Sequence, residues 1–252
     1  MRPKLGIAAC LMLTALLAST LAVGRDPTQL ALKKGARVGV ISMMDAEITH
    51  FNNSKVLAQS FFKTYLVNWQ VDAMLNSAVA PRLTQLELVP VALGASDALM
   101  RNRDEYFVNN SVAKGLPKEI AKQFAQLAAA EHLDALIVLA PGANTSAQAA
   151  GLGAKKNLPD YIRGWGFVTS DAGERPELFD IAQVLLIGIT PETAVLNARE
   201  WGGPYTDQWV DYAPPPDPKK MPLDQLDALQ PYFARILSRQ AGKVMDWITV
   251  SP

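Results

Sequence analysis

Residues 130–142 read AEHLDALIVLAPG. Ala135 to Ala140 form an unbroken apolar run that closes on Pro141-Gly142. Just before it, Ile120, Phe124 and Leu127 recur at helical spacing behind Pro117, a residue that suits the start of a helix. A strand that is apolar on both faces must be covered on both faces. A helix feeding such a strand after a residue or two therefore predicts an α/β fold.

Working outward, residues 36–42, ARVGVIS, predict a second buried strand, and Glu47 to Phe51 a shorter one. Val71, Leu75, Ala78 and Val79 predict a helix over about residues 68–80, with Pro81 at its end. Residues 86–93, LELVPVAL, predict a strand that Pro90 confines to an edge or a bulge. Ser96-Asp97 opens a further helix carrying Leu99, Met100, Arg103 and Tyr106 or Phe107. Residues 142–160 are small, polar and aperiodic, as in a long loop. From Tyr161 to Ser170 the chain alternates by bulk: Tyr161, Arg163, Trp165 and Phe167 on one side, Gly164, Gly166 and Val168 on the other. Residues 181–189, IAQVLLIGI, are expected to pair with that strand in antiparallel fashion. Residues 25–35 read as a loose polar lead-in. The expected fold class is a single α/β sandwich: a mixed sheet with helices packed on it, preceded by a signal peptide. The expected organisation is a leader over 1–24, the α/β domain over 25–212, a Pro-rich spacer over 213–222 and a C-terminal helix over 223–252. Pro231 should kink or split that helix, which packs back on the domain.

The leader reading rests on Arg2 and Lys4, the apolar stretch Leu5–Val23 and the small exit residues Ala22-Val23-Gly24, the layout of a secretory signal peptide. The rival is a retained membrane anchor, since the apolar stretch approaches the roughly 20 residues a span needs. The single cysteine, Cys10, sits inside this segment. Residues 7–10, IAAC, do not make a lipidation signal, because most of the apolar region follows the cysteine. The mature chain is thus expected to be periplasmic or secreted, with no disulfide and no thiolate metal site. Basic and acidic residues number 24 each. No basic stripe offers the phosphate neutralisation that nucleic-acid binding needs.

Three stretches share a further likeness. ARVGVISMMD resembles the first strand of exported bacterial envelope proteins of the curli-secretion-channel and Tol-periplasmic amino-terminal type. AEHLDALIVLAP is similar to their segment of helix, aspartate and apolar strand. AQVLLIGITPETAVLNARE resembles a later strand and turn, although Thr190-Pro191-Glu192-Thr193 lacks the usual glycine. The resemblance covers roughly Arg37 to Glu200 and implies an α/β fold and an envelope setting. It carries over no binding or catalytic residue.

Four groups of residues are weighed for chemistry. Asp45, Glu47 and His50 follow the first long strand, where ligands gather in α/β folds, and could hold a metal or work as acid and base. The plainer reading is a solvated loop. Gly142, Asn144, Thr145 and Ser146 follow the apolar strand and could offer amides and hydroxyls to a ligand, but lack the lysine and second glycine of a phosphate loop. Trp201, Tyr205, Trp209 and Tyr212 form either an aromatic platform for a partner or, as we favour for at least half of them, part of the core. His132, at a helix end, reads as a structural cap. No Gly-x-Ser-x-Gly elbow is present. No catalytic residue, metal site or cofactor is therefore assigned. The leading expectation is an exported envelope protein that binds a protein partner or assembly, with room for a homo-oligomer. The alternative is a metal-assisted or acid–base hydrolase using Asp45, Glu47 and His50. A membrane pore ranks last, since only Tyr161–Ser170 has the length and alternation of a lipid-facing hairpin strand.

Overall fold

The computed structural model describes residues 29–54, 59–103, 116–142, 164–170, 175–189, 198–201 and 207–252. Its strands are β1 (Leu30–Lys33), β2 (Arg37–Ser42), β3 (Glu47–Asn53), β4 (Phe61–Leu66), β5 (Val89–Leu93), β6 (Ala135–Pro141), β7 (Gly164–Ser170), β8 (Glu177–Gly188), β9 (Ala198–Trp201), β10 (Asp207–Gln208) and β11 (Ile248–Ser251). The helices are α1 (Val71–Gln85), α2 (Asp97–Arg103), α3 (Lys118–Glu131), α4 (Leu223–Asp227) and α5 (Gln230–Met245).

A mixed sheet runs in the order β4-β3-β7-β8-β6-β2-β5, with β9 and β10 also paired to β8. Strands β5, β2 and β6 are parallel, β8 is antiparallel to both β6 and β7, and β3 is parallel to β7 and antiparallel to β4. Strand β6 confirms the two-sided reading. Its Ala135, Ile137 and Leu139 join one apolar core with α1 and α5, while Leu136, Val138 and Ala140 join another with α2 and α3. The helices supply matching stripes: Val71, Leu75, Val79 and Leu83 from α1, and Ile120, Phe124 and Ala128 from α3. Each fully buried Val, Leu, Ile or Phe among them contributes about 1.5–3 kcal/mol of transfer free energy. The Asp134 carboxylate anchors the neighbouring strand by accepting the Arg37 amide at 2.8 Å.

The alternation in β7 is also as expected. Trp165 and Phe167 face the α5 side, where Trp165 stacks on Phe233 at 5.4 Å and Phe167 meets the edge of Trp209 at 5.2 Å. The thin face has its own reason. The space a Gly166 side chain would need is already taken by the Phe179 ring and the Thr49 carbonyl oxygen. Pro90 lies in β5, the last strand of the sheet order, where a missing donor is tolerated. Pro231 sits in the first turn of α5, so the C-terminal helix is split in two there.

Three expectations need correction, and one strand was not expected. Helix α1 runs through Pro81 to Gln85; the ring sits at an exposed position, so water can reach the carbonyl that its missing N–H leaves free. The lead-in is not wholly loose: Leu30 and Leu32 are buried, and β1 pairs in parallel with β11, register Leu30↔Ile248. The C-terminal helix stops at Met245 and the chain turns into that strand. Strand β4, FFKTYL, carried no periodic signal because Lys63 and Thr64 are exposed within it. The loop expected over 142–160 lies, after Gly142, outside the described residues, as do residues 1–28. No helix among the described residues is long and apolar enough to cross a membrane.

The glycines yield a first test. A methyl group at Gly39 would meet only the flexible ends of Leu136, Leu133 and Leu93, at 2.6–2.9 Å, whereas one at Gly166 meets backbone and a buried ring. Gly166→Ala should cost about 3 kcal/mol or more and Gly39→Ala about 1–2 kcal/mol, read from urea unfolding midpoints. Equal costs would mean that the thin face of β7 is not the tighter one.

Candidate functional site

Strand β2 ends at Ser42 on one side of β8, and β3 begins at Glu47 on the other. The connecting residues Met43–Ala46 pass the end of β6 and the start of β7. Two backbone bonds fix this crossing: the Met43 amide to the Leu139 carbonyl at 2.7 Å, and the Val67 amide to the Ala46 carbonyl at 2.9 Å. Gly164 opens β7 with φ +69°, a left-handed conformation that favours glycine, and the Met44 methyl lies 3.0 Å from where a side chain would begin.

A cleft of about 420 Å³ opens at this crossing, lined among others by Met44, Glu47, Thr49, Phe62, Thr64 and Pro141. It lies at the carboxyl ends of the parallel strands β2 and β6, the usual place for ligands in such sheets. Arg103, at the end of α2, reaches in to form a bidentate ion pair with Asp45 and donates to the Met43 carbonyl at 3.0 Å. The Arg103 side chain is 13% exposed and that of Asp45 40%, so the pair stands at the boundary between cleft wall and solvent. It stiffens the crossing more than it adds to stability, because half-exposed ion pairs contribute about 0–1 kcal/mol. Arg103 was read from the sequence only as a helix residue; nothing local linked it to Asp45, 58 positions away.

Asp45 and Glu47 thus line one cleft, but His50 does not join them. Successive residues of β3 alternate in direction. Glu47 and Thr49 face the cleft, and His50 points to the opposite side of the sheet, fully buried. There its ring stacks on Phe167 at 4.4 Å and meets Phe61 edge-on at 5.0 Å. Thr169 Oγ1 donates to Asn52 Oδ1 at 2.9 Å, so it accepts from His50 Nε2 at 2.7 Å. Nδ1 is then a bare acceptor with no partner. Burial, helped by the Lys63 charge, pushes the imidazole down to about 4, which keeps it neutral. The three residues expected as a polar site are therefore two groups on opposite faces. No cluster of three or more His, Cys, Asp or Glu side chains suited to a metal occurs among the described residues.

The other candidates separate as well. Gly142 follows β6 directly, its amide bonded to the Ile181 carbonyl at 2.7 Å, while Asn144, Thr145 and Ser146 lie outside the described residues. Trp209 is 1% exposed and packs on Phe167 and Tyr212, so it belongs to the core and not to a partner surface. Tyr212 is half-buried beside it, Trp201 ends β9, and Tyr205 lies outside the described residues. His132 is the left-handed C-cap of α3, exposed, in the structural role expected of it.

One group escaped the sequence reading. Asp180 of β8 is 1% exposed among apolar neighbours. It accepts the Ala182 amide at 2.8 Å, the Gln240 side-chain amide at 2.6 Å and the Trp165 indole. Burial pushes its carboxyl up to about 7 even so, the three donors only partly offsetting the loss of water. The available signal was a lone aspartate interrupting the apolar alternation of Leu178 and Ala182.

In comparisons with known proteins, no family model, no curated protein and no solved structure matches this chain.

The two buried titratable groups oppose each other with pH. Asp180 binds its proton more tightly folded than unfolded, so its contribution falls as pH rises from about 3.8 to about 7. His50 binds its proton less tightly folded, so its contribution rises between about 4 and 6.5. Wild-type stability should change by less than about 1 kcal/mol between pH 4.5 and 6.5 where the two cancel. Asp180→Asn leaves His50 unopposed. Urea unfolding of that variant should show stability rising by about 2–3 kcal/mol over the same interval. A flat profile for the variant would contradict the assignment.

Proposed function

We propose that this protein works in the bacterial envelope as a non-enzymatic binding protein, and that the cleft between β2, β3 and β6 receives part of its partner. The observation that carries this reading is the Asp45–Arg103 pair. It occupies the carboxylate nearest the strand ends and ties the crossing segment to α2, so the cleft presents a fixed wall of mixed character. Methionine, phenylalanine and two threonine hydroxyls beside charged groups suit recognition, where apolar contact supplies affinity and a few polar groups supply orientation. His50, the residue best suited to move a proton at neutral pH, is sealed on the far face. The envelope setting is supported by the leader-like first 24 residues and by the likeness to exported envelope proteins. The hydrolase alternative loses its support once Asp45 and Glu47 are parted from His50.

Thr64 lines the cleft from an exposed position on the outermost strand, so enlarging it there should leave the fold intact. Crosslinking and affinity capture from native envelopes with the full chain should retain one partner, identified by mass spectrometry. Thr64→Arg should reduce its capture at least tenfold with an unchanged unfolding midpoint. Equal capture by the variant would remove the cleft from the reading, and recovery of the native protein in the cytosol would remove the envelope.

A further inference from the structure

The sheet has two outer edges, and they are built differently. Strand β5 forms one of them. Its Val89 amide bonds inward to the Ala36 carbonyl at 2.9 Å, so the next residue, Pro90, faces outward and offers no N–H to a further strand. Strand β4 forms the other edge with FFKTYL, which holds no proline, no glycine and, against β3, no bulge. Among the described residues, only β3 pairs with β4. The Val67 amide bonds to the Ala46 carbonyl at 2.9 Å, which continues the register Leu66↔Glu47. In an antiparallel ladder, opposed residues exchange bonds at every second position. Tyr65, Lys63 and Phe61 therefore turn their backbone groups to β3, and Leu66, Thr64 and Phe62 turn theirs outward. Phe62 and Thr64 line the cleft, and by alternation Leu66 lies on the same face. Leu66 is 74% exposed, more than any other large apolar side chain among the described residues.

An edge of this kind accepts a further antiparallel strand, and β4 is complementary to itself. Bonds form only where outward-facing backbone meets outward-facing backbone, so a two-fold axis must pass through a residue and its own copy, not between residues. An axis at Lys63 sets two ammonium-bearing side chains directly opposite each other, which is unfavourable. Axes nearer either end of the strand overlap fewer residues. An axis at Thr64 sets Thr64 against Thr64, Phe62 against Leu66 and Lys63 against Tyr65. All are favourable cross-strand pairs, and Lys63 already lies over the Tyr65 ring of its own strand at 4.8 Å. We infer that two copies of this chain join through β4 in this register, making one continuous sheet with both clefts on the same face. The partner's Leu66 then stands beside Phe62 at the rim of the cleft and loses its exposure. Charge does not oppose the joint. Basic and acidic residues balance at 24 each. On the far face, Lys63 donates to the Lys219 carbonyl and Lys220 pairs with Asp217. A joint of one strand pair is at the small end of protein interfaces, so the dimer is reversible and forms in the micromolar range. It involves the chain alone and stands whatever the cleft binds.

Sedimentation equilibrium on the chain as isolated, over about 1–200 μM, should show a reversible monomer–dimer equilibrium. Leu66→Pro removes an outward amide without breaking a bond to β3. It should weaken the dimer at least tenfold and leave the circular dichroism of the monomer unchanged. A wild type that stays monomeric throughout, or a dimer equally strong in the variant, overturns the joint. Should Leu66→Pro fail to fold, Leu66→Lys takes its place with the same expected loss, because it sets a charge against Phe62. Crosslinking in a Cys10→Ser background reads the register. Thr64→Cys puts two thiols directly opposite each other, within disulfide reach, and should give covalent dimer at least tenfold faster than Lys63→Cys. Equal rates, or the reverse order, overturn the register. Capture of an extended peptide along β4 by a chain that stays monomeric gives the edge to another occupant and overturns the second copy.

Discussion

Strand β8 is hydrogen-bonded along both edges, and the sheet depends on it. Its first half pairs with β7 and β10, and its second half with β6 and β9. All of its residues after Glu177 are buried. A strand covered on both faces has no water to satisfy its backbone, so each edge must be matched by a neighbour. Because β6 ends opposite Ala182 and β7 begins opposite Ile181, the two halves of the sheet are offset at that point. The offset is what makes Met43–Ala46 cross from one half to the other, and the cleft lies along that crossing.

The same strand decides where polarity sits. Odd positions such as Phe179 and Ile181 face one way, and Leu178, Asp180 and Ala182 face α5. Placing a carboxylate in the second series costs stability when it is ionised, yet it also gives the helix above it a specific partner in Gln240. His50 is the mirror case, a base kept neutral by aromatic rings. The two groups are shifted in opposite directions, so their pH responses oppose each other over mildly acidic pH. The Asp45–Arg103 pair belongs to a different category. It is half in solvent, contributes little stability, and its value is geometric.

Much of this was legible before any coordinates. Strand β6, strand β2, the α3 stripe, the bulky and thin faces of β7, the edge position of Pro90 and the break at Pro231 were all expected from local patterns. The site was legible only in part. A strand over 47–51 already sends Glu47 and His50 to opposite faces, since they are three residues apart. Trp209 followed the favoured reading of the aromatics as core. Leu30 and Leu32 could not be recognised as a strand alone, because their partner, Ile248–Ser251, is at the other end of the chain.

The sequence by itself determined which segments are buried on two faces, where helices begin and where prolines interrupt them. Periodicity, capping and proline geometry act within a few residues, so they can be read without knowing the fold. Tertiary structure alone decided that β8 would bridge two offset half-sheets, that Arg103 would meet Asp45, and that Gln240 would lie over Asp180. The last two contacts join residues 58 and 60 positions apart. Their charge and hydrogen-bonding consequences arise only when packing removes the water between them.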